Sequence, residues 1–250
     1  MCFLGVRLPP SARTWVYDVL FAERHPPYGG GMADEHDTEL LVRDARILSL
    51  DPAYDGRVSS VRVVGERIAA VTDSGLLAPG PRALEIPAAG ATLVPMLDAT
   101  VLSEHPERDG SPVPNPGSQA SFVVVTGGVT RSAALHQLVV TPGHLVLAVV
   151  DGKIVARDGA PIVDSRAHAD AVGALDPRWG TWVDRTDYLH QHLHSTGRYD
   201  ETRAGRRNAY TGAFWLYRNR IVYLDDSGFW AFGRFVDEEL HHAGFVMERN

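Results

Sequence analysis

His190, His192 and His194 alternate with Leu189, Gln191 and Leu193, so on an extended chain the three imidazoles leave the same face. Such a face is geometrically able to hold zinc or iron, but a metal site ordinarily recruits further ligands from another strand, such as His241 or His242. A half-exposed strand accounts for the three histidines without a metal, and no cofactor is expected. His241 or His242 suits general acid–base work near neutral pH, where imidazole titrates. With Asp225, His241 forms the candidate proton-moving pair, although Asp225-Asp226-Ser227-Gly228 is also ordinary turn chemistry. Arg198, Asp200, Glu201 and Arg203 set opposite charges close together, able to grip a carboxylate or phosphate or to pair among themselves in solvent. Period-2 geometry puts Ile221, Tyr223 and Asp225 on one face and Phe229, Ala231, Gly233 and Phe235 on a face of the next strand. An aromatic surface with a few converging polar groups is the usual lining of a small-molecule pocket. The candidate ligand-binding residues are therefore Trp182, Arg198, Asp200, Glu201, Arg203, Tyr210, Tyr223 and Phe229. No Gly-rich phosphate loop and no G-x-S-x-G elbow occurs, and the only cysteine is Cys2, so several enzyme classes lose their support.

These residues fall in a distinct tail. Of the 21 aromatic side chains in the 250-residue sequence, 14 lie between Asp176 and Asn250, which marks a domain boundary. The tail reads as strands at Thr181 to Val183, Tyr188 to His194, Tyr210 to Tyr217, Ile221 to Leu224, Phe229 to Phe235 and Gly244 to Glu248. Many short antiparallel strands in so few residues predict a small closed barrel, since closure removes vulnerable sheet edges. Upstream, alternation and β-branched residues predict strands at Leu40 to Leu50, Val58 to Val64, Arg67 to Val71, Leu84 to Ile86, Thr92 to Val94, Phe122 to Thr126 and Gln137 to Val140. Leu145 to Val150 and Ile154 to Ala156 form a hairpin around Asp151-Gly152, a strong turn signal. Ser103 to Ser118, rich in proline, reads as an exposed loop. The reading gives an all-β chain: an N-terminal extension over 1–38 with a candidate native start at Met32, a β-sandwich over 39–164, a linker over 165–176 and a barrel over 177–250.

The first strand group followed by Thr92-Leu93-Val94-Pro95-Met96-Leu97-Asp98-Ala99, and the return through Ala120 to Val125 and the Val149 to Val155 hairpin, resembles the outer β-sandwich of the amidohydrolase superfamily. That family continues with a metal-binding His-x-His pair, where this sequence has Thr100, Val101 and Leu102, and then with a (β/α)8 barrel of roughly 200 residues or more. Only Ser103 to Ser118 joins the halves here, so the resemblance implies a scaffold remnant without amidohydrolase activity. In the tail, Gly197 to Arg203, Tyr210-x-Gly212, Ile221-x-Tyr223-x-Asp225-Asp226-x-Gly228-Phe229, Gly233-x-Phe235 and Leu240-His241-His242-x-Gly244 are similar to an Agrobacterium-type streptavidin-like small-barrel family. This resemblance covers about Arg178 to Arg249 and implies a streptavidin- or lipocalin-like barrel able to hold a small ligand.

A net charge of −7 argues against a broad nucleic-acid face, and 44% hydrophobic residues without a spanning-length run argue against a membrane bundle. With a single thiol and no signal-peptide h-region, the expected compartment is the cytoplasm. The expected partner is a small-molecule ligand, with homo-oligomerisation left open. Two other classes compete with binding. One is cofactor-free catalysis of an isomerisation, cyclisation or dehydration in the same pocket, and the other is a purely structural or oligomerisation module.

Overall fold

The computed structural model describes residues 39–105 and 114–250; the expected extension, the candidate start at Met32 and residues 106–113 of the proline-rich loop lie outside the described residues. The fold is all-β, a mixed sheet followed by a closed antiparallel barrel of eight strands.

The mixed sheet comprises β1 (Glu39–Ile47), β2 (Val58–Val64), β3 (Arg67–Asp73), β4 (Leu84–Pro87), β5 (Thr92–Pro95), β6 (Phe122–Val125), β8 (Leu145–Val150), β9 (Lys153–Arg157) and β10 (Ala160–Pro161). Its order is β10-β9-β8-β6-β5-β1-β2-β3, with β4 beside the first half of β1 in parallel. The sheet curls so that its β2–β3 and β8–β9 turns meet. Asp151 and Gly152 both take positive φ, the requirement of a tight hairpin turn, and a Cβ on Gly152 would stand 1.8 Å from the Gly65 carbonyl oxygen. Inside the curl, Leu40, Val42, Val61, Ile68, Leu93 and Phe122 form one buried core.

The barrel consists of β11 (Gly180–Asp184), β12 (Leu189–His194), β13 (Arg198–Arg203), β14 (Arg206–Tyr217), β15 (Arg220–Asp225), β16 (Trp230–Val236), β17 (Glu239–His242) and β18 (Phe245–Arg249). Consecutive strands pair antiparallel, and β18 returns to β11 to close the ring. Alternation sends Leu189, Leu193, Phe214, Ile221, Tyr223, Leu240 and Met247 inward to fill much of the interior. It sends Trp215, Val222, Trp230 and Phe232 outward, where they join Val94, Val123, Val125 and Ala148 of the mixed sheet in a third core. The short β7 (Val139–Val140) extends the barrel sheet alongside β16. Arg218 clamps Glu66 with both terminal nitrogens, and Arg220 donates to the Met96 carbonyl at 2.9 Å. Sheet and barrel thus share a seam and belong to one compact unit.

Three short helices correct the sequence reading. The segment expected as a linker carries α3 (Ser165–Val172), started by Asp164, whose carboxylate accepts from the amides of Arg166 and Ala167, and its Ala169 is buried in the barrel core. The expected loop from Ser103 is entered through α1 (Ala99–Glu104), capped by Asp98, and α2 (Arg131–His136) precedes β7. β13 and β17 are additional strands. Among the described residues no helix is long and apolar enough to cross a membrane.

Candidate functional site in the barrel mouth

One end of the barrel is hollow. A cavity of about 260 Å³ opens there, walled by Val139, Tyr199, Tyr210, Phe229, Ala231 and Phe245, with Glu201, Arg203, Asp225 and His242 among them. Each wall residue follows from strand alternation. On β13, Tyr199, Glu201 and Arg203 face in, so Arg198 and Asp200 face out. On β17, His242 faces in and His241 faces out. Gly212 gives Tyr199 its place, since a Cβ there would stand 2.7 Å from the Tyr199 ring and 2.3 Å from the Leu224 carbonyl.

Beneath the cavity runs a buried polar chain. The Arg203 Nε donates to Glu201 at 2.9 Å, the Gln191 amide donates to the other Glu201 oxygen at 2.9 Å, and the Tyr223 hydroxyl donates to the Gln191 carbonyl oxygen at 2.7 Å. Gln191 is fully buried and Glu201 nearly so, and such groups are tolerated inside a barrel only when their hydrogen bonds are met. Burial raises the Tyr223 hydroxyl far above its ordinary value, with Glu201 and Tyr199 adding to it, so it stays a neutral donor. The Arg203 guanidinium lies 4.6 Å from the centre of the Tyr210 ring, and its bond to Glu201 uses Nε.

His242 packs 4.6 Å from the Tyr223 ring, and its Nδ1 donates to the Phe232 carbonyl at 3.4 Å, which makes Nε2 an acceptor. Burial holds this imidazole below its ordinary value of 6.5, against the opposing pull of Glu201, the Phe232 bond and Asp98. The ring is therefore neutral in the fold at neutral pH. Below about pH 6.5 the unfolded chain takes up a proton at His242 that the folded barrel resists. Stability is then lost as pH falls from that value through the lowered folded one. Urea unfolding between pH 7 and 5 is expected to show a fall in stability that His242→Leu reduces; an unchanged slope in the variant would exclude His242 as the cause.

The mouth brings together Glu201, Arg203, Tyr210, Asp225 and Phe229 among the residues singled out from sequence, with Tyr223 at the floor. Asp225 is also a turn residue: its carboxylate accepts from the Ser227 amide at 2.7 Å and from the Ser227 hydroxyl. Arg198 sits outside, paired with Asp226 at 2.6 Å, and Asp200 accepts from His194 at 2.7 Å on the outer face. Trp182 is at the other end, its indole donating to the Arg178 carbonyl at 3.0 Å and lining a broad crevice of about 1040 Å³. That crevice is larger, but its charged walls are taken up in pairs such as Arg178 with Asp176 and Arg218 with Glu66. The smaller mouth has the apolar walls that retain an organic ligand.

His241 and Asp225 are not brought together, because neighbouring residues of one strand point to opposite sides of the barrel wall and it is His242 that reaches the mouth. His241 is wholly buried outside the barrel, against α1, where Nδ1 lies 2.7 Å from Thr100 Oγ1 and Nε2 lies 3.1 Å from Glu239 Oε2. His190, His192 and His194 lie on the outer face of β12, each with its own partner: Asp187, Thr181 and Asp200 respectively. Among the described residues, the group whose metal-ligating atoms converge is His105, Glu239 and His241. The sequence offers His241 or His242 and pairs His241 with Asp225, and it singles out neither Tyr199 nor Phe245 as a site residue; the period-2 rule applied to β13 and β17 points to Tyr199 and to His242.

Residues 176–249 match the family model described as Agrobacterium tumefaciens protein Atu4866. The solution structure of the protein Atu4866 from Agrobacterium tumefaciens is 43% identical over 30% of this chain and 95% of that one, with a TM-score of 0.28. No curated protein matches the chain significantly. Residues 176–249, the C-terminal barrel, are thus an Atu4866-family domain.

Proposed function

We propose that the barrel mouth binds a small organic ligand with a flat, apolar body and one anionic or acceptor group. The observation that carries this reading is the pairing of a hollow aromatic mouth with a polar floor in which Glu201, Gln191 and Tyr223 are buried and Arg203 is half-buried. Aromatic walls supply burial, and a few fixed polar groups supply orientation. Arg203, whose Nε is engaged by Glu201, offers its terminal nitrogens to an anion, and His242 Nε2 accepts a hydrogen bond from a ligand donor. The hollow end favours binding over a purely structural role, for which packed aromatics would close the barrel at both ends. The mixed sheet serves as the scaffold on which the barrel is seated, in keeping with an amidohydrolase-like remnant whose Asp98 caps a helix in place of leading to metal ligands.

Native mass spectrometry of the full chain, equilibrated with a small-molecule extract of its host, tests the reading. A retained organic mass at one per chain is expected, and Arg203→Ala is expected to lose it by about tenfold or more, the worth of one charge-assisted hydrogen bond of ~1.5–3 kcal/mol. A protein that stays empty, or an Arg203→Ala variant that retains the same mass equally well, contradicts it.

A further inference from the structure

We propose that His105, Glu239 and His241 form a binding site for one divalent transition-metal ion, zinc in the first instance, in the seam between α1 and β17. This site is outside the barrel wall and independent of the mouth. Three observations carry it.

The first is convergence. His105 Nε2 lies 3.2 Å and His241 Nε2 lies 3.1 Å from the same atom, Glu239 Oε2, and the ligating atoms of the three residues all fall within 4.8 Å of one another. Tetrahedral zinc with bonds of ~2.0–2.1 Å sets its donors about 3.3 Å apart. The two rings meet edge to face with centroids 5.6 Å apart, an arrangement that lets both nitrogens address one point.

The second is the direction of the hydrogen bonds. Asp98 accepts from both the Thr100 amide at 2.8 Å and the Thr100 hydroxyl at 2.5 Å. With its only hydrogen given to Asp98, Thr100 Oγ1 must accept from His241 Nδ1 at 2.7 Å. The lone pair of a neutral His241 then sits on Nε2 and faces the lone pairs of Glu239 Oε2. Two acceptor atoms 3.1 Å apart converge on the place that a shared metal ion would take. The Asp98–Thr100–His241 relay is also the kind of outer support that fixes the tautomer and ring plane of a ligating histidine.

The third is the division of labour on Glu239. Its Oε1 accepts from Arg185 at 2.6 Å, which leaves Oε2 for the histidines. Arg185 is itself balanced by Glu104 through two bonds of 3.2 and 3.0 Å, so the net charge of the carboxylate remains available to a cation. Two histidines and one carboxylate leave a tetrahedral ion one open position. Glu239 also lines the broad crevice, and His105 and Glu239 are only part-buried, which gives an ion and its fourth ligand a way in.

The full-length protein, stripped with a chelator and titrated with Co²⁺, tests the proposal. One equivalent is expected to bind with the visible absorption of four-coordinate cobalt, and Zn²⁺ is expected to displace it. His105→Ala and Glu239→Gln are each expected to weaken binding by at least about tenfold, and Thr100→Val, which removes the support for His241 and no ligand, by about tenfold. His241→Ala opens a hole in a packed seam, so the part-exposed His105 carries the test. His192→Ala on the exposed histidine strand is expected to change nothing. Absence of cobalt binding would overturn the proposal. Equal binding by wild type, His105→Ala and Glu239→Gln would place the ion elsewhere and overturn it as well.

Discussion

Replacement of Ala231 by tryptophan is expected to abolish ligand retention in the barrel mouth while leaving the barrel folded. Ala231 lies opposite Val139 and Tyr223 across β16 and contributes only a methyl group to the wall of a cavity of about 260 Å³. An indole at this position projects into the space where the proposed ligand body lies and replaces it as the filling of the aromatic walls. The expected loss of affinity is about 100-fold or more, equivalent to ~2.8 kcal/mol. Because the new side chain enters open space, the stability cost is expected at the low end of overpacking, about 1 kcal/mol. Equilibrium binding measured beside urea unfolding separates the two effects. Undiminished binding in a folded Ala231→Trp protein would show that the ligand does not occupy the mouth.

Trp230→Ala is expected to have the largest effect on stability, about 3–5 kcal/mol. Trp230 is 2% exposed, points out of the barrel and stacks on Trp215 with ring centroids 6.0 Å apart, in the core that the barrel shares with the mixed sheet. Its removal leaves a cavity in that seam and not in the barrel interior. Sheet and barrel are therefore expected to unfold in one transition whose midpoint drops for both. Amide exchange in β12 and β13 reports the barrel, and amide exchange in β2 and β6 reports the sheet. If the sheet keeps its midpoint while the barrel loses stability, the seam does not couple them.

The reasons for what was legible in the sequence are physical. Strands such as Val58–Val64 and the Asp151-Gly152 hairpin were plain because β-branched alternation and a positive-φ turn pair are local signals. β13 does not read as a strand in sequence, because Arg-Tyr-Asp-Glu-Thr-Arg carries charge on both faces; the inward Glu201 is met by Gln191, its cross-strand partner on β12, and by Arg203 two residues on. β17 was hidden in the same way by Glu239 and two histidines. Face assignment along single strands worked where the strand was recognised, so Tyr223, Asp225 and Phe229 fell toward one mouth. What spacing does not carry is which strand end lies beside which. Trp182 therefore went to the far end, and His241 met Thr100 and His105 from a segment more than 130 residues away.

The most direct test of the central claim is a heteronuclear NMR titration of isotope-labelled protein with the ligand recovered from it. The account predicts that the perturbed amides and side chains cluster on Glu201, Arg203, Tyr210, Phe229, Ala231 and His242, at the hollow end of the barrel. Perturbations clustered instead on Arg178, Trp182 and Arg234, along the broad crevice, would contradict it.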